Sequence, residues 1–195
     1  MDDWKESIEG DAAKWFMRNS LFYEAQRAYN RYGNGWRTPD IYGELTSISA
    51  DCQMLSENMY MGIAVNISEN GYYHTRLSNK TRDDDNNVIY TLQLYKKTSE
   101  GHKLVNSILT EVNDIKIELG QWFNLRLTVK ENLISVYIDD VLMLTYEDSD
   151  KVFSTGECGM RISEGDALFD NVRVYGTELE RDETVARIEP TKYTD

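Results

Sequence analysis

A chain of 195 residues with 41% hydrophobic content is long enough for one sizeable core, and no break in composition divides it into two. Its net charge of −13 argues against nucleic acid and anionic membranes as partners, because the Lys and Arg residues are scattered and form no basic stripe. No apolar run approaches the roughly 20 residues that span a bilayer, and the start Met1-Asp2-Asp3-Trp4-Lys5-Glu6-Ser7 has neither the basic nor the apolar segment of a secretory leader.

With only 2 prolines and 13 tyrosines, the chain suits a strand-rich fold better than disorder. Asp2, Asp3 and Trp4 read as a short first strand, residues 10–15 as a loop or one helical turn, and residues 21–26 as the next strand. Residues 27–38 mix aromatics and arginines around Gly33 and Gly35, which predicts a shaped loop ending in a short strand at Trp36. Across residues 44–54, Leu45, Ile48, Ala50, Cys52 and Met54 alternate with polar residues, a long strand with a bulge expected near Ser47. Residues 59–67 and 72–77 form a hairpin about Ser68-Glu69-Asn70-Gly71, where Asn-Gly is the strongest short turn signal in the chain. The acidic run 78–87 reads as a solvated loop, and 88–96 resumes the strand pattern with Val88, Tyr90, Leu92 and Leu94 on one side. A turn at 98–101 and a strand near 103–109 lead into the last third.

From Gly120 to Tyr175 the β pattern is nearly continuous. Phe123, Leu125, Leu127 and Val129 alternate with Asn124, Arg126, Thr128 and Lys130, and after the turn Glu131-Asn132 the residues Ile134, Val136 and Ile138 repeat the period of two. Asp139-Asp140 turns the chain into a third strand over 142–146, and strands over 156–162 and 168–175 follow, joined at Ser163-Glu164-Gly165-Asp166. About a dozen strands with no long amphipathic helix predict an all-β, two-sheet antiparallel sandwich. Residues 1–176 make one domain, and 177–195, where alternation gives way to charge, a tail or linker. Cys52 and Cys158 fall on the inward phase of strands, as buried free thiols or, alternatively, a disulfide.

Gly120-x-Trp122-x-x-Leu125-x-Leu127-x-Val129, Ile134-x-Val136-Tyr137-Ile138-Asp139, Gly159-Met160 and Leu168-Phe169-Asp170-Asn171-Val172-Arg173-Val174 together resemble the concanavalin A-like (laminin G-like) jelly-roll domains. Within these, the chain is similar to carbohydrate-binding modules of glycoside hydrolases, including the fructan-binding family 66 modules and the lectin domain of galactocerebrosidase. Tyr60-Met61-Gly62-Ile63-Ala64-Val65 and Gly71-Tyr72-Tyr73-His74-Thr75-Arg76-Leu77 match their central hairpin. The resemblance implies a jelly-roll sandwich with a tendency to bind sugars, and a fold that also carries enzymes and inert spacers.

Jelly-roll glycosidases of this class place two carboxylates at alternate positions of one strand. No such run lies in an expected strand here: Glu6-Ser7-Ile8-Glu9 and Glu180-Arg181-Asp182-Glu183 fall in expected loop or tail segments, and His74 and His102 have no metal-ligand spacing. Sugar recognition needs an aromatic face beside polar groups that bond neighbouring hydroxyls. Tyr72, His74 and Arg76 take alternate positions of one strand, with Trp36 and Arg37 at the end of the aromatic loop and Arg126 and Arg161 on outward phases of later strands. The candidate glycan site is therefore Trp36, Arg37, Tyr72, His74, Arg76 and Arg161, against an alternative in which these are ordinary strand surface. In the resembling families a calcium ion joins the first strand to the last, through the position that Asp170 matches. The resemblance implies a structural calcium at Asp170, with Asp3 or Asp2 and backbone carbonyls of 27–36 as further oxygens. Together these features lead us to expect a non-catalytic carbohydrate-binding module of an extracellular polysaccharide-degrading protein, linked to a catalytic domain. A structural accessory domain and a glycoside hydrolase are the alternatives.

Overall fold

The computed structural model describes residues 4–9, 13–18, 21–26, 34–39, 41–100, 103–150 and 152–181, with the strands before residue 40 described by their backbone alone. These residues form β1 (Trp4–Glu9), β2 (Ala13–Arg18), β3 (Leu21–Gln26), β4 (Asn34–Pro39), β5 (Gly43–Met54), β6 (Tyr60–Ser68) and β7 (Gly71–Arg82). They continue with β8 (Val88–Glu100), β9 (Lys103–Val112), β10 (Trp122–Lys130), β11 (Leu133–Ile138), β12 (Val141–Glu147), β13 (Glu157–Ser163) and β14 (Asp166–Glu178). A front sheet has the order β1-β4-β13-β6-β7-β8-β9, and a back sheet the order β12-β11-β10-β5-β14-β3-β2. The fold is thus an all-β jelly-roll sandwich, and no helix occurs among the described residues.

Local chemistry sets the hairpins. Asp139 and Asp140 both adopt positive φ, 49° and 63°, in the two-residue loop between β11 and β12, the twist that lets adjoining strands stay paired. The β6–β7 hairpin closes with Ser68 opposite Gly71. Gly71 has φ +134°, and a Cβ there would collide with the Lys97 carbonyl oxygen and the Phe153 ring. The expected bulge near Ser47 is present: Ser47 pairs with Tyr175 and Leu45 with Gly176, so Thr46 stands out of register.

The alternating apolar residues meet between the sheets. Leu125, Leu127, Ile134 and Val136 are fully buried, and Val174 packs partly buried against them. Cys52 on the back sheet and Cys158 on the front sheet are both free and buried. Burial raises the Cys52 thiol well above its ordinary value; burial and then the Glu157 charge push Cys158 up to about 12.

Two polar clusters tie the layers. Asn66 at φ 57° is buried on β6; its Nδ2 donates to the Leu45 and Phe153 carbonyls at 2.9 Å each and its Oδ1 accepts from the Leu45 amide at 3.2 Å. Lys96 Nζ lies 2.6 Å from Asp148 Oδ2, to which the Tyr73 hydroxyl also donates at 2.6 Å. Both clusters hold the connection from β12 to β13.

The elements differ from the sequence reading in several places. Residues 13–15, expected within a loop or helical turn over 10–15, belong to β2, paired along β3 from Ala13–Gln26 to Arg18–Leu21; pairing with β3 replaces a helical turn that would carry little support alone. Glu6-Ser7-Ile8-Glu9 lies in β1 rather than a loop, with Glu6 opposite Arg37 and Glu9 opposite Asn34. Residues 78–82 continue β7 because Asn79 is buried, accepting from the Met59 amide at 2.9 Å and donating to the Ser56 carbonyl at 2.8 Å. The last five strands are not one meander: β10, β11 and β12 pair in order, but β13 crosses to the front sheet and β14 returns beside β5. At the C-terminal end β14 runs through Glu178, the Leu179 amide donates to the Tyr42 carbonyl at 2.9 Å, and Arg181 pairs with Glu157.

Candidate functional site

Strand alternation divides β7 between two environments. Tyr73, Thr75 and Leu77 face the interior, leaving Tyr72, His74, Arg76 and Ser78 on the outer face of the front sheet. The register brings Lys97 beside Tyr72, Tyr95 beside His74, Gln93 beside Arg76 and Thr91 beside Ser78. On the other side β6 contributes Tyr60, opposite Ser78, and Ala64, opposite His74. The next strand, β13, places Arg161 beside Gly62.

Aromatic rings and cations interleave on this face. The His74 ring stacks on Tyr95 with centroids 4.8 Å apart and planes at 13°, and Tyr72 lies tilted against His74 at 5.6 Å. Lys97 Nζ sits 5.3 Å over the Tyr72 ring. The Arg76 guanidinium lies 3.5 Å over Tyr60 and 5.9 Å from the Tyr95 centroid, and Lys80 Nζ is 4.1 Å over the same Tyr60 ring. Such contacts hold the charged groups against the aromatic rings of the sheet.

A hydrogen-bond relay fixes the polarity of the face. Arg76 Nη1 donates to the Tyr95 hydroxyl at 3.1 Å, Tyr95 donates to Gln93 Oε1 at 3.0 Å, and Gln93 Nε2 donates to Glu111 Oε2 at 2.8 Å. The Tyr95 proton is thereby turned toward Gln93. Between Arg161 and Arg76 the row has no side chain, since the β6–β7 register that pairs Met61 with Leu77 and Ala64 with His74 puts Gly62 opposite Arg76. Glycine is required there: a Cβ would collide with the Thr75 carbonyl oxygen. Thr75 itself enters the ladder, its hydroxyl accepting from the Ile63 amide at 2.9 Å and donating to the Ile63 carbonyl at 3.3 Å.

The structure brings together four of the six expected ligand residues, Tyr72, His74, Arg76 and Arg161. Tyr72 and His74 are 5% and 2% exposed, so they form the wall of the face rather than open strand surface. Trp36 is the register partner of Arg161, and Arg37 that of Met160; their side chains lie outside the description. Arg126 belongs elsewhere, on the back sheet, 4.3 Å over Tyr137 and 3.0 Å from Asp140. Sequence reasoning missed Tyr60, Gln93 and Tyr95. The only available signal for the last two was that Thr91, Gln93, Tyr95 and Lys97 take the phase opposite Tyr90, Leu92 and Leu94.

Of the described carboxylates near this face, Glu111 bonds Gln93 and Glu164 pairs with Lys80. Asp170 lies on the back sheet opposite Asp51. Its Oδ1 accepts from the Asn171 amide at 2.8 Å, while the Asp51 oxygens accept from the Asn124 and Asn171 side chains at 2.8 Å each. Among the described residues no group of three or more His, Cys, Asp or Glu side chains could hold a metal ion, so the described carboxylates alone do not complete a calcium shell. Asp3 lies outside the described residues. The run Asp83-Asp84-Asp85 is an exposed turn in which Asp83 accepts from the Asp85 and Asn87 amides, and the Asn87 side chain and backbone hold its carboxyl below the ordinary range.

A profile of the family described as "3-keto-alpha-glucoside-1,2-lyase-like domain" matches residues 30–175. No curated protein sequence matches the chain. Among solved structures, the carbohydrate binding module CBM66 from Bacillus subtilis superposes with a TM-score of 0.68 at 15% identity, covering 90% of this chain and 97% of that one. A Bacillus subtilis protein of unknown function with a galectin-like fold gives 0.67 at 11% identity, covering 92% and 91%. A glycoside hydrolase family 16 endo-glucanase from Bacteroides ovatus gives 0.58 at 10% identity, covering 88% and 94%. These likenesses establish the sandwich, which carries both sugar-binding and sugar-cleaving proteins.

Proposed function

The chain belongs to the family of 3-keto-alpha-glucoside-1,2-lyase-like domains, and from that premise we propose that the outer face of the front sheet is a carbohydrate site. The observation that carries the reading is the row Arg161–Gly62–Arg76, in which a gap between two guanidiniums is bordered by Tyr60, Tyr95 and His74. Two strand spacings separate the arginine backbones by about 10 Å, room for a sugar ring with a donor at either side. Our reading is a non-catalytic binding module of an extracellular polysaccharide-degrading protein, joined to a catalytic domain.

The test is calorimetric titration of gluco- and fructo-oligosaccharides, with products of the same samples followed by chromatography. Arg76→Ala or Arg161→Ala each removes a charge-assisted hydrogen bond and is expected to weaken binding about ten- to a hundredfold, with the melting temperature nearly unchanged. Unchanged affinity in both variants would overturn the site.

The family description favours one second reading. Elimination across C1–C2 of a 3-keto-glucoside needs a base for the C2 proton, which the neighbouring ketone acidifies, and a donor for the enolate oxygen. His74 and Arg76 are side chains of those types on the face. Release of the C1 substituent by the native protein, lost in His74→Ala, would assign this reading; binding without release supports the module.

Calcium at Asp170 is proposed separately. Its support is that Asp51 and Asp170 are direct cross-strand partners, where two like charges disfavour pairing, and neither belongs to an ion pair among the described residues. Chelation is expected to lower the melting temperature of the native protein and to leave Asp170→Ala unaffected. Equal melting with and without chelator, in protein free of metal by elemental analysis, would reduce Asp170 to an amide acceptor.

A further inference from the structure

We infer that the saccharide taken by the outer face of the front sheet is acidic, and that Arg76 binds its carboxylate or sulfate group. The inference rests on the carbohydrate reading of the same face and narrows it to a substrate class. Its starting point is a charge out of place. The chain carries −13 overall, yet the described outer face gathers Arg76, Lys80, Lys97 and Arg161 around four aromatic rings. Among the described residues the carboxylates beside them are Glu164, paired with Lys80, and Glu111, bonded to Gln93.

Arg76 itself is partly buried and forms no ion pair among the described residues. Among the described residues its one hydrogen bond is the Nη1 contact to the neutral Tyr95 hydroxyl, and one flat face lies 3.5 Å over the Tyr60 ring. A guanidinium carries five donors in a planar fork and remains charged at any ordinary pH. Sequestering it on a sheet without an anion forgoes the strongest bonds it can make. The relay through Tyr95 and Gln93 reaches Glu111 only at its third link, and it spends the Tyr95 proton on Gln93. Tyr95 and Gln93 thus brace Arg76 from one side and leave its remaining donors as the recognition group. Beside Arg76 in the row, Gly62 puts no side chain in the way, so a planar oxyanion on a sugar can meet the fork while the ring rests beside Tyr60. A neutral sugar would fill the same gap without matching the charge.

The experiment titrates three trisaccharides of equal length, one built of hexuronates, one sulfated and one neutral and glucose-based, into the native protein, Arg76→Gln and Arg76→Lys at low and high salt. An acidic trisaccharide is expected to bind at least about tenfold tighter than the neutral one at low salt, an advantage that shrinks as salt rises. Arg76→Gln is expected to weaken acidic binding more than neutral binding and so to abolish the advantage, and Arg76→Lys to retain part of it, since Lys keeps the charge without the fork. The hexuronate and sulfated arms identify which oxyanion is preferred. Equal affinity for acidic and neutral sugars in the native protein overturns the inference and leaves the carbohydrate reading standing, even if a variant fails to fold. An acidic preference that survives in folded Arg76→Gln also overturns it, and absence of binding by all three overturns both readings.

Discussion

Lys96 and Asp148 form an ion pair with side chains 10% and 3% exposed, joined by the Tyr73 hydroxyl. Burial pushes the Asp148 carboxyl up, but the Lys96 ammonium and the Tyr73 hydroxyl outweigh it and hold the carboxyl below its ordinary value. Burial and the same carboxylate push the Tyr73 phenol up. Because the Asp148 carboxyl is depressed in the folded state, its contribution is complete above the unfolded value, about 3.9, and is lost as pH falls through the folded one. Asp148→Ala strands a buried ammonium and is expected to cost about 3 to 5 kcal/mol, measured by urea unfolding at neutral pH. Asp148→Asn keeps the shape without the titration, so its stability should fall less than the native protein's between pH 5 and pH 3, each about a unit from the ordinary carboxylate value. Parallel decline in the two would show that Asp148 does not carry the acid sensitivity.

At the scale of the strand, β10 and β12 make a controlled comparison. Leu127 on β10 is fully buried between Ile48 and Val136 in the register. Leu142 on β12, the edge of the same sheet, is 53% exposed. Leu127→Ala is expected to destabilise by about 2 to 5 kcal/mol, through lost burial and the cavity left behind. Leu142→Ala should fall within about 0.5 kcal/mol of the native protein. Chemical denaturation of both variants checks the pair, and equal losses would mean that the β12 edge is covered in solution. Leu127 sits in an alternating run and Leu142 in the continuous run Val141-Leu142-Met143-Leu144; the bulge between Val136 and Tyr137 turns Leu144 inward opposite Val136 and leaves Leu142 opposite Tyr137 on the outer phase.

For the molecule as a whole, Asn66 is the joint between layers. It sits on the front sheet, bonds both backbone groups of Leu45 on the back sheet, and holds the Phe153 carbonyl of the connection from β12 to β13. Asn66→Leu leaves those groups buried without partners and places a branched side chain at positive φ. A loss of about 2 to 4 kcal/mol is expected, with the far-UV β-sheet spectrum preserved below the melting transition. A change within about 0.5 kcal/mol would show that the sheets are held together by apolar packing alone.

Much of the architecture was legible because strand periodicity is local. Alternation at Leu125, Leu127, Ile134 and Val136 depends only on which side of a pleat each residue takes, and the turns at Glu131-Asn132, Asp139-Asp140 and Asn70-Gly71 carry their own backbone preferences. The sequence by itself therefore determined the class of fold, the core phase of most strands, the buried state of both cysteines and the outward phase of Tyr72, His74 and Arg76. It did not determine which strands are neighbours, because hydrogen-bond pairing between distant segments leaves no periodic trace in either. Only the tertiary structure set β8 beside β7, which supplied Tyr95 and Gln93 to Arg76, and sent β13 across to the front sheet, which brought Arg161 to Gly62. Pairing of β10 with β5 and β11 put Arg126 on the opposite sheet, and the depth to which Asn79 and His74 are buried follows from the packing around them rather than from their place in the pattern.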